Sequence, residues 1–172
     1  MNLRRLDMLP QVGVYTLIMH LPVDIRLKVG KLGEHQFLKG YYAYTGSALG
    51  PRASSLRKRV ARHLQKKKRV FWHIDYLLTS GEPVVIAIVA GHTNMKMECE
   101  INRRLKNEVT ARIPVLGFGA SDCKENCGSH LLFFPDIIEE QHLVRKIVKC
   151  TRFVVSEVFV VRLLVMRAQP EL

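Results

Sequence analysis

Apolar positions along the chain change period several times, and each change marks an element. Val12 to Met19 (VGVYTLIM) is a β-branched, apolar run that predicts a buried strand, and Pro22 breaks it. Ile25, Leu27 and Val29 then alternate with Arg26 and Lys28, the period of two expected of a half-buried strand. Gly30 and Gly33 supply a turn, and Glu34 to Leu38 can return as a third strand. Tyr41 to Tyr44 predicts a fourth, ending at Gly46. Connections this short favour antiparallel pairing.

Helical periods follow. Leu56, Val60 and Leu64 recur every four residues and make one apolar stripe, and Trp72 to Leu78 (WHIDYLL) predicts a short helix. Val84 to Ala90 (VVIAIVA), bounded by Pro83 and Gly91, has the length and continuity of a central strand. Met97, Ile101 and Leu105 define another helix stripe, closed before Pro114. The stretch GFGASDCKENCGSH reads as a loop, and His130 to Phe134 as a last strand. Ile137 to Lys149 is again helical, whereas the β-branched run from Phe153 fits either strand or helix. The expected fold is α+β: a small antiparallel sheet flanked by helices over residues 11–135. Residues 136–172 form a C-terminal extension that the pattern leaves without a place or a role.

Composition adds a partner. The 172 residues suit one domain with a substantial core, and 48% hydrophobic residues exclude a disordered basic tail. Lys and Arg number 27 against 15 Asp and Glu, a formal charge of +12. An excess of this size points to a polyanion, nucleic acid before an acidic membrane surface. The charge is also clustered: Arg52, Arg57, Lys58, Arg59, Arg62, Lys66, Lys67, Lys68 and Arg69 surround His63 and leave only the apolar stripe uncharged. Such a face grips a phosphate backbone without reading sequence. Phe71 and Trp72 follow directly; they can stack on an unpaired base, although core packing is the plainer expectation. The first residues carry no apolar segment of signal-peptide length, and Glu157 and Arg162 interrupt the longest apolar run. A cytoplasmic protein with no membrane contact is expected, with its cysteines reduced or metal-bound.

Within this frame a few residues offer chemistry. Arg59 and His63 lie four apart on the basic helix and project from one side of it, at the edge of the apolar stripe. Arginine presents a rigid fork to phosphate oxygens, and histidine moves protons near neutral pH. Strand alternation sends Tyr42 and Tyr44 to one face, and Tyr15 lies on the first strand. A buried tyrosine ordinarily needs only a hydrogen-bond partner, but nearby cations can lower its pKa until it serves as a base.

GVY at 13–15, YTG at 44–46 and LRKRV at 56–60 resemble the GIY-YIG nuclease superfamily. Its members include phage homing endonucleases, some restriction enzymes and the incision subunit of bacterial nucleotide excision repair. WHIDYLL, ECE, GFGASDC and SHL resemble a mostly archaeal branch of it, and the likeness covers Val12 to Phe134. The resemblance implies a three-stranded antiparallel sheet and hydrolysis of a phosphodiester with one divalent cation, Mg²⁺ or Mn²⁺. It implies that Tyr15 and Tyr44 line the site, one of them helping to deprotonate or orient the attacking water, that Arg59 binds the scissile phosphate, and that His63 assists proton transfer. A helix glutamate holds the cation: Glu98, which keeps Cys99, Ile101 and Leu105 at apolar positions, in preference to Glu100. Two departures stand out. Fifteen positions separate Tyr44 from Arg59, about five more than in the repair nuclease, and the excess falls in LGPRASS. A late asparagine of many relatives has no clear counterpart beyond Ser121 or Asp122.

Cys123, Cys127 and His130, spaced C-x3-C-x2-H, form a second candidate site. Zn²⁺ would need a fourth ligand, His73 or Cys99, so reduced thiols in a loop are the first expectation and zinc the second. His73 and Asp75 do not share a helix face and read as separate packing or rim contacts. The leading functional expectation is a metal-dependent endonuclease acting on DNA. An inactive nucleic-acid-binding module of the same fold is the alternative, and a zinc-stabilised interaction domain the third.

Overall fold

The first apolar run becomes the middle of a sheet. The computed structural model describes residues 3–50 and 55–163. Strands β1 (Gly13–Leu21), β4 (Gly40–Ala48), β5 (Val84–Gly91), β6 (Leu131–Phe134) and β7 (Val158–Arg162) form one antiparallel sheet in the order β6-β4-β1-β5-β7. The half-buried strands β2 (Ile25–Lys28) and β3 (Glu34–Phe37) pair separately as a two-stranded hairpin. The α+β class and the antiparallel pairing are as expected; the sheet has five strands instead of three because β6 and β7 flank the central trio.

Strand alternation divides the core into two layers. On one face Tyr15, Leu17, Met19, Tyr42, Tyr44 and Ile88 pack against α1 (Leu56–His63), α2 (His73–Thr79) and the hairpin. On the other, Val14, Ile18, Ala43, Ala87 and Val89 pack against α3 (Glu98–Glu108) and α4 (Glu140–Arg152).

Residues 136–163 of the segment left without a place thus acquire one, and the remainder lies outside the described residues. Leu143, Val144 and Ile147 of α4 belong to the second core layer, and β7 hydrogen-bonds β5 from Ala87 to Gly91. Within the run from Phe153, Val158–Arg162 forms strand because β5 has a free edge that β-branched residues satisfy. No described helix is long and apolar enough to cross a membrane.

Candidate active site

Pairing of β1 with β4 sets Tyr15 opposite Gly46 and Leu17 opposite Tyr44, so both tyrosines rise from the same face. The glycine is required there: a Cβ on Gly46 would lie 2.8 Å from the Tyr15 hydroxyl. That space lets the Tyr15 phenol reach across to hydrogen-bond His63 Nε2 at 2.8 Å. Tyr44 meets the His63 ring edge-on, with centroids 6.2 Å apart.

His63 does not overhang the cleft as its helix position suggests. It is only 2% exposed, enclosed by Tyr15, Tyr44 and Trp72. Its Nδ1 makes no hydrogen bond among the described residues and faces Asp75 Oδ1 at 3.8 Å. Facing that carboxylate, Nδ1 carries the proton of neutral His63, which leaves Nε2 to accept from the Tyr15 phenol. Burial lowers the His63 pKa, and Asp75 pulls it partly back.

Asp75 is the hub of this wall. It is the third residue of α2, where an acidic side chain can reach back to the helix start. Oδ2 accepts the backbone N–H groups of Phe71 and Trp72 at 3.0 and 2.9 Å. Arg62 binds both carboxylate oxygens at 3.0 Å, and Lys68 approaches to 3.6 Å. Burial alone would raise the Asp75 pKa, but His63, Arg62 and the two N–H groups hold it well below the usual carboxylate range. The reading of His73 and Asp75 as separate contacts is therefore half right. His73 accepts the Gly119 N–H at 3.0 Å, a contact separate from Asp75, while Asp75 is no rim contact but faces buried His63.

An open cleft of about 610 Å³ lies in front of Tyr15. Tyr44, Arg59 and Glu98 also line it, so four of the five expected site residues meet there and His63 stands behind Tyr15. Arg59 donates to the Ser47 carbonyl at 2.5 Å and lies 5.1 Å from the Trp72 ring centre, which fixes its fork at the cleft edge. Glu98 starts α3, is 8% exposed and forms no ion pair among the described residues. Glu100 points away and pairs with Arg103 and Arg104, so the two glutamates separate cleanly.

Burial corrects the expected lowering of the phenol pKa values. It raises both Tyr15 and Tyr44, and Arg59 offsets only part of the effect. Both phenols stay protonated at neutral pH. The basic set also divides: Lys58, Lys66, Lys67 and Arg69 are exposed, but Arg62 is bound to Asp75 and Arg57 to the Leu9 carbonyl. Lys68 has a side chain only 2% exposed and donates to the His63 carbonyl at 2.6 Å, which removes it from the exposed basic face. Arg52 and most of the LGPRASS segment lie outside the described residues. Phe71 is 75% exposed, whereas Trp72 sits between Arg59 and Arg62.

The opposite wall is a loop. Gly119, at φ 71°, lies against Tyr44 so closely that a Cβ would come within 2.7 Å of the ring. Beyond it Cys123, Cys127 and His130 gather with Cys99 of α3, all ligand atoms lying within 4.8 Å of one another. This Cys3His cluster can bind a metal ion; the fourth member is Cys99, and His73 is committed elsewhere. Beneath both walls a buried polar chain crosses the second face of the sheet. Thr16 and Thr45 hydroxyls meet at 3.1 Å, Thr45 donates to Asn102 Oδ1 at 3.0 Å, and Asn102 Nδ2 donates to the Ser129 carbonyl at 3.1 Å.

The domain of unknown function DUF123 matches this chain over residues 14–153. The chain belongs to the DUF123 family. No curated protein and no solved structure matches it. The DUF123 span runs past residue 135 to the end of α4, in keeping with the place of that helix in the second core layer. Within the DUF123 domain, sequence reasoning missed Asp75 and Asn102. An acidic residue three after Trp72, at a helix start beside a basic run, was the available signal for Asp75. Asn102 carried none, since its partners come from a strand and a distant loop.

Proposed function

We propose that this cleft hydrolyses phosphodiester bonds in nucleic acid, DNA first, as a GIY-YIG-type endonuclease with one Mg²⁺ or Mn²⁺. The observation that carries the reading is the convergence of Tyr15, Tyr44, Arg59 and Glu98 on one cleft, with His63 and Asp75 lined up behind Tyr15. It is supported by the pairing of the GVY strand with the YTG strand and by the departure of the arginine helix from the same end of the sheet.

Glu98 fits the cation: it is a carboxylate turned to the cleft with no cationic side chain bound to it among the described residues, and oxygen donors suit hard ions. When bound, the ion supplies Lewis acidity to a phosphate oxygen. Arg59 holds the phosphate with its fork and stabilises the charge that grows on the oxygens in the transition state. The Tyr15 phenol orients the attacking water. As the water proton passes to the Tyr15 oxygen, the phenol proton passes to His63 Nε2, and Asp75 stabilises the imidazolium formed. His63 acts through Tyr15 and touches no substrate. Because burial favours its neutral form, it is ready to accept a proton at neutral pH.

Incubation with linear, branched and single-stranded DNA in Mg²⁺ or Mn²⁺ tests the reading. Arg59→Ala and Glu98→Ala are expected to lower cleavage by about 10²–10³-fold, the effect of removing one transition-state stabiliser. Equal inertness of wild type and both variants, with tight DNA binding in all three, would leave a binding module in place of the nuclease.

A further inference from the structure

Four soft or borderline donors from two separate segments converge on one point. Cys99 comes from the first turn of α3; Cys123, Cys127 and His130 come from the loop that enters β6. Cys99 Sγ lies 3.3 Å from Cys123 Sγ and 3.6 Å from His130 Nε2, and Cys123 Sγ lies 3.5 Å from Cys127 Sγ. A disulfide would need about 2.05 Å. Zn–S bonds of about 2.3 Å at tetrahedral angles place sulfurs about 3.8 Å apart and slightly less from an imidazole nitrogen. These three separations sit close to that set, and the other donor pairs lie within 4.8 Å.

The surroundings say why an ion would be needed. Phe118 anchors the start of this loop in the core against Phe37 and Tyr44, but beyond it Ser121, Asp122, Lys124, Glu125 and Asn126 are exposed, so the part that carries the cysteines has little apolar surface to bury. Its backbone bends through left-handed conformations at Gly117, Gly119, Asn126 and Gly128, each costly in ordering. It nevertheless has to hold Gly119 against Tyr44 and present one wall of the cleft. The Cys127 carbonyl accepts Lys106 Nζ of α3 at 3.4 Å, a second tie between the same two segments.

We propose that Cys99, Cys123, Cys127 and His130 bind one Zn²⁺ in a closed tetrahedral site that staples the cleft loop to α3. Four protein ligands leave no open position, so the ion is structural and separate from any catalytic cation. Binding displaces the three thiol protons to solvent and forms three Zn–S bonds and one Zn–N bond. The staple holds the residue next to Glu98, so the loop and the start of α3 order together. The site stands whether or not the cleft cleaves DNA.

Elemental analysis of protein purified without chelator is expected to give one zinc per chain. Exchange with Co²⁺ is expected to give the intense visible bands and thiolate charge-transfer absorption of tetrahedral sulfur ligation. Cys123→Ser and Cys127→Ser should each lose the bound equivalent, and Cys150→Ala, a buried cysteine outside the cluster, should keep it. Stripping zinc from the wild type should raise amide exchange across residues 117–130 while leaving β1, β4 and β5 protected. Wild-type protein that folds with no zinc, or that holds a disulfide between any two of Cys99, Cys123 and Cys127, would overturn the proposal. A cobalt spectrum of octahedral oxygen ligation would overturn it equally. None of these readouts depends on cleavage, so a failed nuclease assay leaves them intact.

Discussion

The two walls of the cleft solve the same positioning problem with different physics. The wall of α1 and α2 is local: His63, Lys68, Arg62 and Asp75 fall within one short stretch of chain and satisfy one another. The facing wall is irregular backbone with exposed side chains, tied down by glycine turns and by the Cys3His cluster. Local polar closure needs no outside ligand, whereas the loop beyond its buried Phe118 has little to bury and is where the proposed ion would contribute. Each wall should therefore give way to a different kind of damage.

The largest effect should come from the hub of the first wall. Asp75→Ala strips the carboxylate from a buried group of cations and N–H donors, and a loss of about 3–5 kcal/mol is expected from urea unfolding. A loss below about 1 kcal/mol would mean that this wall is held by apolar packing and that the contrast with the loop is false.

Acid should act on the first wall next. The unfolded chain protonates histidine near pH 6.5, but buried His63 resists, so its contribution is full above about pH 6.5 and declines as pH falls toward its lowered folded value. Asp75, held low when folded, adds a second decline below about pH 4 with the same sign. His63→Gln is expected to remove its share of the upper part of the acid decline, to which His73 and His130 also contribute, read as the difference between two pH–stability curves. The acid limb of cleavage should likewise lie below pH 6.5. A limb above that value would sink the relay through a neutral histidine.

The smallest effect belongs to the exposed basic face. Lys66→Ala and Lys67→Ala should weaken DNA binding in a sequence-independent way without moving stability. Each should also reduce the salt slope by about one for every phosphate it leaves unneutralised. Glu100→Ala, with its pairing partners on the outside of α3, serves as the control expected to change neither.

Most of the fold was legible because the periods were strong. The alternation at Ile25–Val29, the four-residue stripe at Leu56–Leu64 and the apolar block at Val84–Ala90 each became the element they predicted. The last strand was ambiguous because a short β-branched run says nothing about whether a sheet edge is waiting for it. In the site, Tyr15, Tyr44, Arg59 and Glu98 could be placed by their motifs, and the structure brings them together. Two kinds of information were out of reach. Helix spacing puts His63 beside Arg59 but cannot tell a rim from an interior, and the packing of Trp72 decides that. Burial also overrode charge: cations do stand near Tyr15, yet desolvation outweighs them and keeps the phenol neutral.

The threonine chain beneath the sheet has a consequence for how the strands find their alignment. Tyr15 and Tyr44 are followed at once by Thr16 and Thr45, so the same two strands show phenols to the cleft and hydroxyls to α3. Sliding β4 along β1 by a single residue would send Tyr44 to the wrong side, take Gly46 away from Tyr15 and strand Asn102 with no hydroxyl to meet. Apolar neighbours forgive such a slip far more readily than a buried amide does. The hydroxyl–amide ladder is thus a gauge that accepts one offset only, and the offset it accepts is the one that puts a phenol in front of His63.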